Sequence, residues 1–192
     1  MELVKIYDNV LEPSFCNNII EKFNTSKHQY KGTTGAGYNK DIKLTTDLAI
    51  SRLTEDPEWL NIDNIINEKL NKYLIKYTND IKSLNKQYAF SNMVFQDTGF
   101  LMQKYNKNEG FFSYHTDTDS FYENNCTYQR HIVYLFYIND VNEGGETIIW
   151  NDVKIKPKCG RLLLFPSTWC YPHSGSMPIS DNKYIITGWL YN

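Results

Sequence analysis

The chain has 192 residues, 41% of them hydrophobic and 15% aromatic, which is enough for one good core and too little for two ordinary domains. Twenty basic against 22 acidic residues, spread along the chain for a net charge of −2, form no polycationic footprint, which argues against nucleic acid or an anionic membrane as partner. No apolar run reaches membrane-spanning length and the N-terminal segment lacks the pattern of a leader peptide, so a cytoplasmic location is expected.

In chain order, "LVKIYDNV" alternates as a strand does, and "EPSFCNNIIEKFN" follows with Pro13 at a helix start and Phe15, Ile19, Ile20 and Phe23 at helical spacing. "KGTTGAGYNK", Lys31 to Lys40, reads as a glycine-rich loop. "DPEWLNIDNIINEKLNKYLIKY" is the strongest helix, its stripe of Trp59, Ile62, Ile66, Leu70, Tyr73 and Tyr77 stepping by three and four. From Tyr88 onward the chain breaks into short β-rich runs, among them "GFLMQKY", "GFFSYHTD", "RHIVYLFYIN", "GGETIIW", "RLLLFP" and "KYIITGWLY". The expected class is α+β and mainly β: one domain over 1–192, with residues 1–85 mostly helical support and 86–192 a jelly-roll core. Gly144 and Gly145 are expected to make a tight hairpin before "ETIIW". Four scattered cysteines, Cys16, Cys126, Cys159 and Cys170, form no C-x-x-C pair and are read as reduced thiols. Abundant Asn, Ile, Tyr and Lys hint at an AT-rich genome, viral or microbial.

The stretch "YHTDTDS", Tyr114 to Ser120, carries the densest chemistry. On a strand, His115 and Asp117 share a face about 7 Å apart and both reach one ion, whereas Asp119 lies about 13 Å from His115. Asp117 is therefore expected to be the ligand and Asp119 a solvated turn residue. Two histidines and one carboxylate on one face of an octahedral iron leave positions open for cosubstrate and oxygen, so a second histidine is needed. His28, His131 and His173 are the candidates.

The ordered set Q-x-Y, H-x-D, G-G-E-T, F-P, P-H-x-G and K-Y-x-x-T-x-W resembles the iron(II)- and 2-oxoglutarate-dependent dioxygenases, in their prolyl 4-hydroxylase-like branch. "YDNVLEPSFCNNII" is similar to the start of that family's domain, so the resemblance runs over roughly residues 1 to 191. It implies His115, Asp117 and His173 as iron ligands, with Lys183 pairing the distal carboxylate of 2-oxoglutarate. Tyr105 and Tyr137 match cosubstrate-contacting tyrosines, Thr187 is a further candidate for the same carboxylate, and Arg130 and Trp189 are candidate substrate-entrance residues. The implied cofactors are Fe(II), 2-oxoglutarate and O2, with ascorbate as reductant. The implied reaction is hydroxylation of a C–H bond with release of succinate and CO2, and retention of Asp117 sets the chain apart from the related halogenases.

Alternation puts Lys183, Ile185, Thr187 and Trp189 on one face, consistent with a lysine inside the barrel. The leading substrate is a prolyl residue in a peptide or protein, with loop 31–41 a candidate lid. The same chemistry on a free amino acid or other small molecule, and a non-catalytic jelly-roll binding protein, are the alternatives. Oxygenases of nucleic-acid bases are disfavoured, because the chain lacks both a basic patch and an R-x-N-x-T-x-R signature.

Overall fold

The run "RHIVYLFYI" has no polar alternation because both of its faces are covered, one by helices and one by a second sheet. The structure, a computed structural model, describes residues 2–84, 95–123 and 125–192, with only the backbone of Phe121, Glu123 and Cys126. The boundary expected at 85/86, and the Tyr88 start of the β-rich region, lie outside the described residues.

In chain order the elements are β1 (Lys5–Tyr7), α1 (Pro13–Thr25), β2 (Tyr30–Lys31), β3 (Lys43–Leu44), β4 (Thr46–Ala49), a 3-10 turn (Ile50–Arg52) and α2 (Pro57–Leu84). There follow β5 (Gln96–Asp97), β6 (Leu101–Tyr105), β7 (Phe111–His115), β8 (Ser120–Glu123), β9 (Cys126–Tyr137) and β10 (Thr147–Ile149). The chain closes with β11 (Val153–Ile155), β12 (Arg161–Pro166), β13 (His173–Gly175) and β14 (Lys183–Tyr191). A larger antiparallel sheet runs β1-β12-β9-β14-β6-β4-β2, with β5 beside β14 and β8 beside β9. A smaller one runs β11-β10-β13-β7-β3. Two antiparallel sheets packed face to face, with crossovers between them, make the expected jelly roll.

Two cores follow from the pleat. On β9, Ile132, Tyr134 and Phe136 join a cluster with Cys16, Ile19 and Phe23 of α1 and Trp59, Ile62, Ile66 and Leu70 of α2. Val133, Leu135 and Tyr137 point the other way, toward Tyr105, Ile149, Leu163, Phe165 and Ile185 between the sheets. Each large apolar side chain so buried contributes about 1.5–3 kcal/mol. Asp56 starts α2 by accepting the backbone N–H of Glu58 at 2.8 Å, with Pro57 in the first helical position.

The mostly helical N-terminal half also contributes strands, β4 extending the larger sheet beside β6 and β3 edging the smaller sheet beside β7. One expectation changes. Gly144 and Gly145, at φ 72° and 75°, do not close a hairpin: they carry the chain from β9 in one sheet to β10 in the other. A Cβ on Gly144 would collide with the carbonyl oxygen of Met177, so the crossing needs glycine twice over. Cys16, Cys159 and Cys170 are free thiols. Among the described residues no helix is long and apolar enough to cross a membrane.

Candidate metal centre

His115 ends β7 and His173 begins β13, and the two strands pair antiparallel with these residues directly opposite. The ladder therefore brings both imidazoles to one end of the smaller sheet, facing the larger one. Asp117 reaches them by a different route from the one expected. The strand stops at His115, and residues 116–119 leave the ladder, so Asp117 is aimed by a loop and not by the pleat. Thr118 anchors that loop by donating its hydroxyl to the carbonyl of Ser167 at 3.1 Å.

The donor atoms of His115, Asp117 and His173 all lie within 4.8 Å of one another. His115 Nε2 is 3.7 Å from Asp117 Oδ1, and His173 Nε2 is 3.3 Å from Asp117 Oδ2. Adjacent ligands of one ion stand about 3 Å apart, so the three side chains would draw in from their present spacing to seat it. Both tautomers suit it. His115 Nδ1 faces the Ser113 carbonyl at 2.7 Å and His173 Nδ1 faces that of Tyr171 at 3.1 Å, so each Nδ1 carries the proton and each Nε2 keeps its lone pair. Phe112 stacks on His115 at 3.6 Å between ring centroids, and Phe165 packs edge-on to His173 at 4.9 Å.

The electrostatics keep the set ready to ligate. Burial, helped by the neighbouring His173, lowers His115 to about 4 and holds it neutral. Burial alone would raise Asp117, but the two histidines outweigh it and hold the carboxylate at about 2. Of the other two candidate histidines, His28 lines a separate hollow with Trp59 and Arg52, and the ring of His131 contacts Phe95 at 6.3 Å. Neither is part of the cluster.

The triad opens into a cavity of about 590 Å³ between the sheets. Lys183, Ile185, Thr187 and Trp189 all line it, as the alternation along β14 requires. Lys183 is 1% exposed, and its ammonium has no hydrogen bond or ion pair to a described residue. The rings of Tyr105 and Tyr137 lie 4.6 and 5.8 Å from its Nζ. Burial pushes this lysine down to about 7, with Glu146 pulling weakly the other way. Tyr105 lines the cavity and donates to Gln103 Oε1 at 3.2 Å. Gly175 makes room for it, since a Cβ there would sit 3.2 Å from its hydroxyl.

Two expected cosubstrate contacts sit differently. Tyr137 is fully buried behind the cavity wall and donates to Thr147 Oγ1 at 2.7 Å. Thr187 spends its one hydroxyl proton on the carbonyl of Tyr134 at 2.9 Å, leaving none for a carboxylate. Thr147, by contrast, lines the cavity, with its hydroxyl meeting that of Tyr137. The period-two pattern of "ETIIW", which turns Thr147 and Ile149 to the same side, was the signal for it.

Arg130 and Trp189 stand together at the mouth, the guanidinium carbon 3.9 Å from the indole centroid. Asp119, expected to be solvated, ion-pairs with Arg130 at 3.0 Å and lines the cavity. The opposite wall holds a buried Lys43–Asp47 pair at 2.7 Å, supported by Thr45 and tied to the glycine-rich loop through the Thr33 carbonyl.

Comparison with known proteins agrees with this geometry. Residues 100–191 match the 2OG-Fe(II) oxygenase superfamily model. The chain is 34% identical to probable prolyl 4-hydroxylase 10 of Arabidopsis thaliana over 32% of its own length, a match that spans about a third, 31%, of that relative. Among solved structures, the viral collagen prolyl hydroxylase of Paramecium Bursaria Chlorella virus-1, in its 2OG complex, superposes with a TM-score of 0.67 at 16% identity, over 98% of this chain and 95% of that one. A prolyl hydroxylase of Trichoplax adhaerens, solved with a hypoxia inducible factor peptide, gives 0.69 at 21% identity over 100% and 84%. The Pseudomonas putida prolyl-4-hydroxylase gives 0.64 at 14% over 100% and 94%. At these identities the superpositions speak for the fold alone. Asp117, both histidines and Lys183 all fall inside residues 100–191, the segment that matches the 2OG-Fe(II) oxygenase superfamily model.

Proposed function

We propose that the protein is an iron(II)- and 2-oxoglutarate-dependent dioxygenase that hydroxylates a prolyl residue in a peptide or protein. The observation that carries this reading is the pairing, on one cavity, of a neutral-imidazole and carboxylate triad with a buried lysine that makes no ion pair with a described residue. A dicarboxylate that chelates a metal at one end needs a cation for its other end, and an uncompensated ammonium in a dry wall is otherwise costly. His115, Asp117 and His173 would hold the iron, and Lys183, with Tyr105 and Thr147, the distal carboxylate. Bound iron, 2-oxoglutarate and O2 supply oxidative decarboxylation to succinate and CO2 with transfer of one oxygen atom to a C–H bond. The chain's part is to keep water out with Leu101, Val133, Leu135 and Ile185, and to present the substrate between the glycine-rich loop and the mouth.

Charge accounting supports a peptide over a free amino acid. Once metal and cosubstrate have taken Asp117 and Lys183, the remaining charges of the wall are already matched: Lys43 with Asp47, and Arg130 with Asp119. Among the described residues no charge of the wall is then left unmatched for a free α-carboxylate or α-ammonium, whereas the neutral interior of a polypeptide needs none. Thr33, Thr34 and Gly35 reach the cavity from loop 31–41, which supports its reading as a lid over such a segment.

The test is succinate release from 2-oxoglutarate with iron(II) and ascorbate, with and without proline-containing peptides, for the wild type and His115→Ala. Peptide-stimulated release that the variant lacks is expected. Release that is lost in the variant but indifferent to every peptide would keep the oxygenase and refute the prolyl substrate. No release at all would refute both.

A further inference from the structure

Asp119 is unusual for a half-exposed carboxylate in how completely it is committed. Its Oδ2 pairs with Arg130 Nη2 at 3.0 Å, its Oδ1 accepts the Ser120 N–H at 2.9 Å, and its carbonyl accepts the Arg130 N–H at 3.1 Å. The two contacts with Arg130 depend on the chain leaving the ladder after His115 and re-entering it as the β8–β9 hairpin, which brings residues 119 and 130 side by side. Arg130 is held from the far side as well. Its Nε donates to Tyr191 Oη at 2.8 Å, and its guanidinium carbon lies over Trp189, a cavity-lining residue on the same face of β14 as Lys183. Of five guanidinium N–H donors, these contacts use two, and the rest are available at the mouth of the cavity.

We propose that Asp119 is a positioning and specificity-determining residue: it holds Arg130 over Trp189 and cancels its charge, so that the mouth receives uncharged polypeptide and gives no preference to acidic neighbours of the reacting residue. The inference rests on the peptide reading above. Its carboxylate side chain is 53% exposed, so the pair contributes little to folding and the variants will fold. What Asp119 contributes is orientation and neutrality. With the partner charge gone, Arg130 becomes an unmatched cation beside the bound chain, and binding acquires a preference for aspartate or glutamate.

The test uses the full chain loaded with 2-oxoglutarate and with manganese(II) in place of iron, so that binding is read without turnover. Three peptides share one proline-containing core and are flanked by serine, aspartate or lysine; their dissociation constants are measured by calorimetry for wild type, Asp119→Asn and Asp119→Glu. The expected result is that Asp119→Asn shifts the ratio of aspartate-flanked to serine-flanked affinity by roughly threefold to fivefold toward the acidic peptide, an effect that shrinks at high salt and that Asp119→Glu does not show. An unchanged ratio, or equal loss for all three peptides, overturns the specificity role. A second, peptide-free measurement follows the Arg130 Nη resonances by NMR. They should be resolved in wild type and Asp119→Glu and averaged by rotation in Asp119→Asn, and identical spectra overturn the positioning role. If the resonances respond as expected and no peptide binds any variant, Asp119 still positions Arg130 and it is the peptide reading that falls.

Discussion

Replacing Lys183 by methionine should make the cosubstrate-free protein more stable while destroying its affinity for 2-oxoglutarate. The side chain is 1% exposed and its ammonium has no counter-ion among the described residues. Burial moves it from 10.5 to about 7, and at about 1.4 kcal/mol per unit this amounts to roughly 5 kcal/mol spent on holding the charge in a dry wall. The sign follows from proton counts. Between about pH 7 and 10.5 the unfolded chain holds the proton that the folded one has released, so wild-type stability rises with pH across that window and the full penalty applies below it. Methionine, of similar length and without charge, removes the penalty. Urea unfolding should therefore show Lys183→Met more stable than wild type by up to about 5 kcal/mol at pH 6, narrowing to about 2 kcal/mol at pH 9. Thermal shift with 2-oxoglutarate and manganese(II) should raise the wild-type midpoint and leave the variant unmoved. In wild type the same affinity should weaken up to about tenfold per pH unit above 7, because the ligand must then bring a proton with it. A variant that is destabilised equally at both pH values and still binds 2-oxoglutarate would refute the reasoning.

Other consequences of the same geometry can be measured separately. Asp47→Asn strands the buried Lys43 charge and should cost about 3–5 kcal/mol in urea unfolding, whereas Lys43→Met combined with Asp47→Leu should cost far less; similar losses in the two would argue against an ion-pair origin. Thr147→Val removes a hydroxyl from the cavity wall and should weaken 2-oxoglutarate by roughly tenfold to a hundredfold with iron content unchanged, as read by calorimetry and metal analysis. Gly175→Ala forces a methyl group to 3.2 Å from the Tyr105 hydroxyl and should cost about 1–3 kcal/mol of stability together with some cosubstrate affinity. A fully stable, fully binding alanine variant would show that Tyr105 is free to move.

Features with a short sequence period were legible without the structure. The stripe of α2 from Trp59 to Tyr77 is a matter of 3.6 residues per turn, and the shared face of Lys183, Ile185, Thr187 and Trp189 is a matter of two, so both could be read along the chain. The choice of His173 over His28 and His131 came from ordered motifs and not from local spacing; its register opposite His115 explains why that choice is physically coherent. Asp117 was identified with the wrong geometry, since the loop that aims it follows a strand end the pattern does not mark.

What only the tertiary structure decided is which polar atoms meet. Tyr137 and Thr147, Lys183 and the two tyrosine rings, Arg130 and Tyr191, and Thr187 and the Tyr134 carbonyl are brought together by antiparallel registers and by crossings between the two sheets. A donor's assignment depends on what it finds within about 3 Å once the sheets are packed, and that is fixed by strands far apart in the chain. For that reason the sequence by itself carried only the H-x-D and P-H-x-G motifs and the alternation that turns Lys183 to the cavity face. Packing decided that Thr187 donates to the Tyr134 carbonyl while Thr147 meets Tyr137, and that the solvated turn residue Asp119 also pairs with Arg130.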